Sequence, residues 1–150
     1  MEKILLLVLV SLHVFAQDAD KKKVLARIQQ QESHYSAIAQ KIWNFAEVGY
    51  KEKQSSALLQ ETLKQAGFTI ESGVAGIPTA FVATYGQGKP VIGIMAEYDA
   101  LPGLSQKNLP YKVDNNTRAG HGCGHHLFGT ASAVAAIAVK NYLKEIVYSN

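Results

Sequence analysis

The chain has 150 residues, enough to bury the core of one modest domain. Hydrophobic residues make up 47% of it and charged residues 18%, which excludes a disordered polar chain. The net charge of +3 is carried by scattered Lys and Arg with no basic stripe among aromatics, which argues against a nucleic-acid partner.

Residues 1–16 read as a secretory signal peptide. Lys3 supplies a positive start, Ile4 to Leu12 is apolar apart from Ser11, and Val14-Phe15-Ala16 resembles a cleavage site before Gln17. The apolar run is short for a bilayer-spanning helix, and no Cys follows it to take a lipid. A buried N-terminal helix or a membrane anchor is the competing reading. Export to the periplasm or medium is the expectation, with no stable membrane insertion once the leader is removed.

Residues 17–23 are polar and read as a linker, with one domain over 24–150. From Val24 a helical period appears: Val24, Leu25, Ile28, Tyr35, Ile38, Ile42 and Phe45 recur at three- and four-residue steps, with Trp43 beside them and Gly49 as the stop. Ser55 to Ala66 predicts a second helix with Leu58, Leu59 and Leu63 as its stripe and Gly67 as its end. Phe68 to Ile70 and Thr79 to Tyr85 alternate like strands, and 86–90 is a turn cluster. Val91 to Ala96 is continuously apolar, the pattern of a strand covered on both faces. Residues 103–120, rich in Gly, Asn and Pro, predict a long functional loop, within which Asn115-Asn116-Thr117 matches a glycosylation acceptor. Leu127 to Tyr148 predicts an Ala-rich helix that packs through Val134, Ile137, Leu143 and Val147. The order of elements fits an α/β layered domain, or the start of one. In such sheets ligands bind at the carboxyl ends of central strands, here Glu97-Tyr98-Asp99.

The densest chemistry is His121-Gly122-Cys123-Gly124-His125-His126, which holds the only thiol and three of the chain's five His. Glycines let the backbone fold tightly so that neighbouring side chains can converge. A thiolate with an imidazole suits zinc or another borderline metal. A catalytic zinc takes three protein ligands, so Glu97 and Asp99 are further candidates, either as ligands or as groups that orient them. A polar strand end before the Leu101-Pro102 turn is the plainer reading of those carboxylates. A Cys123 nucleophile with a His base is the competing chemistry; it lacks an identifiable oxyanion site.

EYDALPGLSQ at 97–106 followed by AGHGCGHHLFG at 119–129 resembles the metal-dependent amidohydrolase and metallopeptidase family of aminoacylases, carboxypeptidase G-like enzymes and auxin-conjugate hydrolases. Within it the chain is most similar to the p-aminobenzoyl-glutamate hydrolase branch, on the side of its B subunit. IWNFAEVGYKE at 42–52 and GIPTAF at 76–81 extend the resemblance from about Ile38 through Val139. It implies the N-terminal part of a three-layer α/β/α dinuclear-metal catalytic domain, without the lid domain. It further implies two divalent ions, zinc or manganese, held in part by Cys123 and His125, and a small-molecule N-acyl or aminobenzoyl amino acid as substrate. The ions would activate water and polarise the scissile amide. Asp99 matches the family's orienting carboxylate, Glu97 stands where other branches have a ligating His, and His126 stands where Asp or Asn is usual; with His121, Glu97 and His126 are candidates for supporting or substrate-facing roles. The general-base Glu, its neighbour and two further His are expected beyond Asn150, since the only later acidic residue here is Glu145. The fragment alone is therefore expected to be inactive, and the full-length form to be a homo- or hetero-oligomer. A non-catalytic remnant that binds metal or a partner is the alternative.

Overall fold

A computed structural model describes residues 19–113, 116 and 118–148, with side chains through 146. The expected leader, the Asn115-Asn116-Thr117 acceptor pattern in part, and the packing of Val147 fall outside these residues. The chain divides into two compact units after Ser33. In the first, a helix (α1) covers 19–30, so the segment read as a linker is helical where it is described. The site lies wholly in the second.

Helix α2 spans Glu32–Phe45 and buries Ile38 and Ile42, both at helical spacing in the sequence, together with Ala39. Its stop differs from expectation. Ala46 takes the left-handed conformation (φ 44°), and the neighbouring turn has its positive φ at Tyr50 rather than at Gly49. Helix α3, Lys53–Gln65, has no cap from its own N-cap residue, Glu52. The Glu47 carboxylate replaces it, accepting hydrogen bonds from the backbone N–H of Gln54 at 3.0 Å and of Ser55 at 2.9 Å and from the Ser55 hydroxyl at 2.9 Å. These amides are helix-end donors with no intrahelical partner. Gly67, at φ 89°, ends the following turn as the sequence predicts.

Strands β1 (Thr69–Ser72) and β2 (Phe81–Thr84) form an antiparallel hairpin with Thr69 opposite Thr84 and Ser72 opposite Phe81. Strands β3 (Leu101–Pro102) and β4 (Ala119–Gly120) form a second, short antiparallel ladder. A single parallel bridge joins Val48 to Ala100. Helix α4, His125–Tyr148, closes the order. The elements are α/β in kind, and the strands make two separate ladders among the described residues.

The expected strand at 91–96 is the main correction. The segment is irregular, and Val91, Ile92 and Met95 are 84%, 78% and 77% exposed. A strand needs a neighbouring backbone to complete its ladder and cover for both faces. Among the described residues the segment is held by one bond, from the Ser132 hydroxyl to the Met95 carbonyl at 2.7 Å. An apolar pattern states what a segment would bury; it does not supply the cover.

The core sits where α2, α3, α4 and the hairpin meet: Ile38, Ile42, Leu59, Leu63, Phe68, Ala133 and Ile137. Ile42 and Leu59 are 0% and 1% exposed. Burying one such side chain contributes about 1.5–3 kcal/mol. In α4, Val134 and Ile137 are buried as the period predicts, whereas Leu143 is half exposed. Gly129 lets α4 approach the chain at Glu97: a Cβ there would stand 2.7 Å from the Glu97 carbonyl oxygen and 3.3 Å from Leu59 Cδ1. This contact fixes the distance between the Glu97–Asp99 segment and the N-terminal turn of α4. No helix of the described residues is long and apolar enough to cross a membrane.

Candidate metal centre

Residues 121–124 form a tight turn closed by the Gly124 N–H on the His121 carbonyl at 3.3 Å. Gly124 takes φ 80°, a conformation costly for any side chain, and its carbonyl accepts from the N–H of Leu127 at 2.9 Å and of Phe128 at 3.1 Å. Gly124 thereby starts α4 and places His125 in its first turn.

His125 meets both sequence-predicted carboxylates. Its Nδ1 is 2.7 Å from Asp99 Oδ1 and its Nε2 is 3.0 Å from Glu97 Oε2. The three side chains are 18%, 31% and 50% exposed respectively, so the cluster opens to solvent on the Glu97 side. A neutral imidazole has one N–H. Donated to Asp99 from Nδ1, it leaves the Nε2 lone pair facing a carboxylate oxygen, and a proton or cation between the two relieves that contact. Cys123 is a free, exposed thiol in the adjoining turn.

The other two imidazoles of the motif pack inward beside this cluster, with His121 within electrostatic reach of Asp99 and His125. His121 is 9% exposed, and its Nε2–H donates to the Ile42 carbonyl at 3.0 Å. His126 packs on it with ring centroids 4.8 Å apart. Burial pushes the His121 imidazole below its ordinary value, against the opposing pull of the Ile42 carbonyl. Burial and then the nearness of His121 lower His126 as well. The Nδ1 atoms of both rings are buried with no hydrogen-bond partner.

Donor chemistry and geometry fit a divalent ion in kind. A ring nitrogen held by a carboxylate is how a ligating His is oriented. In number the fit is partial: among the described residues no three of His, Cys, Asp and Glu are placed to hold an ion together.

Two groups that support the site were not apparent in the sequence. Glu47 caps α3, and its backbone carbonyl accepts the Ala100 N–H at 2.7 Å, one residue beyond Asp99. Gln106 joins α2 to the His121 turn. Both lie in stretches that carry the resemblance, Glu47 within 42–52 and Gln106 at the end of 97–106, which was the available signal; the Gln106 contacts span 63 and 15 residues and have no local pattern.

No family model matches the chain. It is 46% identical over 121 residues to the B subunit of the p-aminobenzoyl-glutamate hydrolase of Escherichia coli (strain K12), a match covering 79% of this chain and 25% of that protein. It is 34% identical over 106 residues to the thermostable carboxypeptidase 1 of Saccharolobus solfataricus, covering 69% of this chain and 26% of the relative. The hippurate hydrolase of Campylobacter jejuni is 27% identical over 121 residues, covering 79% of this chain and 31% of the relative. The chain thus spans about a quarter of the length of the first two of these relatives. Over that span it belongs to the amidohydrolase and peptidase family these hydrolases represent.

Proposed function

We propose that the chain carries part of the metal-binding floor of a hydrolase that cleaves the amide bond of N-acyl or aminobenzoyl amino acids. Cys123 and His125 would hold zinc or manganese ions, with Asp99 fixing the imidazole and Glu97 the nearest further oxygen donor. The observation that carries this reading is the His125 ring between Asp99 at 2.7 Å and Glu97 at 3.0 Å, at the first turn of a helix. It is supported by the 46% identity to a protein named for p-aminobenzoyl-glutamate hydrolysis.

When bound, the ions would supply Lewis acidity toward a water and an amide carbonyl. The chain's own part is positional: Asp99 would accept the Nδ1 proton and leave Nε2 for an ion, while the Gly124 turn sets His125 in the first turn of α4. The described elements would form the N-terminal part of a three-layer α/β/α domain. Export directed by residues 1–16 and an oligomeric full-length form, in keeping with a relative that is itself named as one subunit of an enzyme, complete the proposal.

The partial donor set favours a second reading, a product that binds metal or a partner and cleaves nothing. Reading the gene past the Asn150 codon separates the two. An adjacent Glu pair with two further His makes chelator-sensitive hydrolysis of p-aminobenzoyl-glutamate or hippurate the expected activity. A stop codon there, with a zinc titration that still gives a saturable signal, leaves the silent metal-binding product; no metal binding at all sinks the metal reading and leaves only a product that binds a partner.

A further inference from the structure

An amide side chain fastens the start of the turn that carries Cys123 and His125 to the end of α2. Gln106 Nε2–H donates to the Trp43 carbonyl at 2.6 Å, and Gln106 Oε1 accepts the His121 backbone N–H at 2.7 Å. Both ends are in use, and each meets a backbone group, so neither anchor can rotate away. Trp43 lies in the last turn of α2, where carbonyls have no intrahelical partner. His121 takes the neighbouring Ile42 carbonyl through its own ring. The C-terminal end of α2 therefore holds the start of the turn at two adjacent points.

The packing around the amide is close. A Cβ on Gly120 would stand 3.2 Å from Gln106 Oε1 and 3.3 Å from Gln106 Cβ, tighter than ordinary contact. The turn from His121 to Gly124 contains two glycines and has little stiffness of its own. A displaced His121 N–H would carry Cys123 and the start of α4 with it, and His125 would lose its alignment on Asp99 and Glu97.

We infer that Gln106 is a positioning residue for the metal-carrying turn: its amide clamps His121 to the end of α2 and so sets the orientation of His125. This rests on the reading of Cys123 and His125 as metal ligands. Gln is suited to the role because it offers a donor and an acceptor at the end of one stem. Met has a similar length and shape and can make neither bond as well.

The test uses the full chain as Gln106→Met, with Gly120→Ala as a second variant that crowds the amide without removing it. Two quantities are read: zinc affinity by calorimetry, and the ring nitrogen signals of His125 by NMR without metal. Gln106→Met should weaken zinc binding about tenfold to a hundredfold, the usual loss when a group that orients a ligand is removed. It should also shift the His125 ring signals while the thermal midpoint stays near that of the parent; Gly120→Ala should change both readouts in the same direction and by less. If the parent chain binds no zinc, the metal reading fails, yet a changed His125 ring signal in the variants still supports the clamp. Parental ring signals and parental affinity in whichever variant folds would overturn it.

Discussion

Asp99 Oδ1 lies 2.7 Å from Nδ1 of His125, on the opposite side of the ring from Glu97 Oε2 at 3.0 Å. The arrangement assigns different work to the two carboxylates. In the proposed metal site Asp99 would accept the ring proton, while Glu97, at 50% exposure, faces the nitrogen that would bind an ion. Asp99→Ala should therefore lower zinc affinity about tenfold to a hundredfold with the fold retained. Calorimetric titration of the variant checks this. An unchanged affinity would mean that Asp99 does not orient the ring.

Glu47 supports the same region from beneath, as the cap of α3. Burial alone would raise its carboxyl, but the N–H groups of Gln54 and Ser55 and both their side chains outweigh it and hold the group below its ordinary 4.5. A carboxyl lowered in the folded state contributes stability that is complete above its unfolded value and is lost as pH falls through its folded value. Glu47→Ala should cost about 1–2 kcal/mol at neutral pH, the size of a lost cap. The gap between parent and variant in thermal midpoint should narrow as pH is taken below 4.5. A gap constant across that range would place the loss in packing instead.

Elements whose cause is local were legible in the sequence. The Leu59 and Leu63 stripe, the Gly67 stop and the helical period from Leu127 all reappear, because helix hydrogen bonds and the spacing of apolar side chains are properties of one segment. The 91–96 strand was misjudged because a ladder needs a second backbone, which no apolar run contains. Glu97, Asp99 and His125, singled out by the strand-end position and the glycine-spaced motif, are neighbours in the structure. The inward turn of His121 and His126 was not legible, since their spacing is the same whether a ring ligates or packs. The cap by Glu47 and the clamp by Gln106 depend on partners 7–8, 15 and 63 residues away.

Leu59 is 1% exposed and stands against the face of α4 at Gly129. Leu59→Ala removes buried methyl groups at the point where α3, α4 and the hairpin meet. The expected cost is about 2–5 kcal/mol, set by how far the neighbours can close the space. Urea unfolding should show a lower midpoint with an unchanged slope. A loss below about 1 kcal/mol would show that this junction is not the core of the domain.

The 91–96 segment exposes Val91, Ile92, Ile94 and Met95 together and lacks ladder partners among the described residues. An unpaired apolar stretch of this kind is a template for another copy. The 150-residue chain should associate with itself as concentration rises, and Ile92→Lys with Met95→Lys should reduce that association without altering the helical signal. Light scattering against concentration measures it. Equal scattering from parent and double variant would move the sticky surface elsewhere.

Cys123 separates the two chemistries that the His121–His126 motif allows. The thiol is exposed and belongs to the turn that leads into His125. As a ligand it should be shielded when the site is filled, because a thiolate engaged with zinc is a weaker nucleophile toward an alkylating reagent than a free one. Iodoacetamide should therefore label the parent chain readily, label it several-fold more slowly with zinc present, and label His125→Ala at one rate with or without zinc. Mass spectrometry of the Cys123 peptide over time gives the three rates. Were Cys123 a nucleophile paired with a His base, zinc would have no specific effect, and removing its base would slow labelling in the absence of any metal. The metal reading requires zinc protection that depends on His125; the nucleophile reading requires a rate that depends on His125 alone.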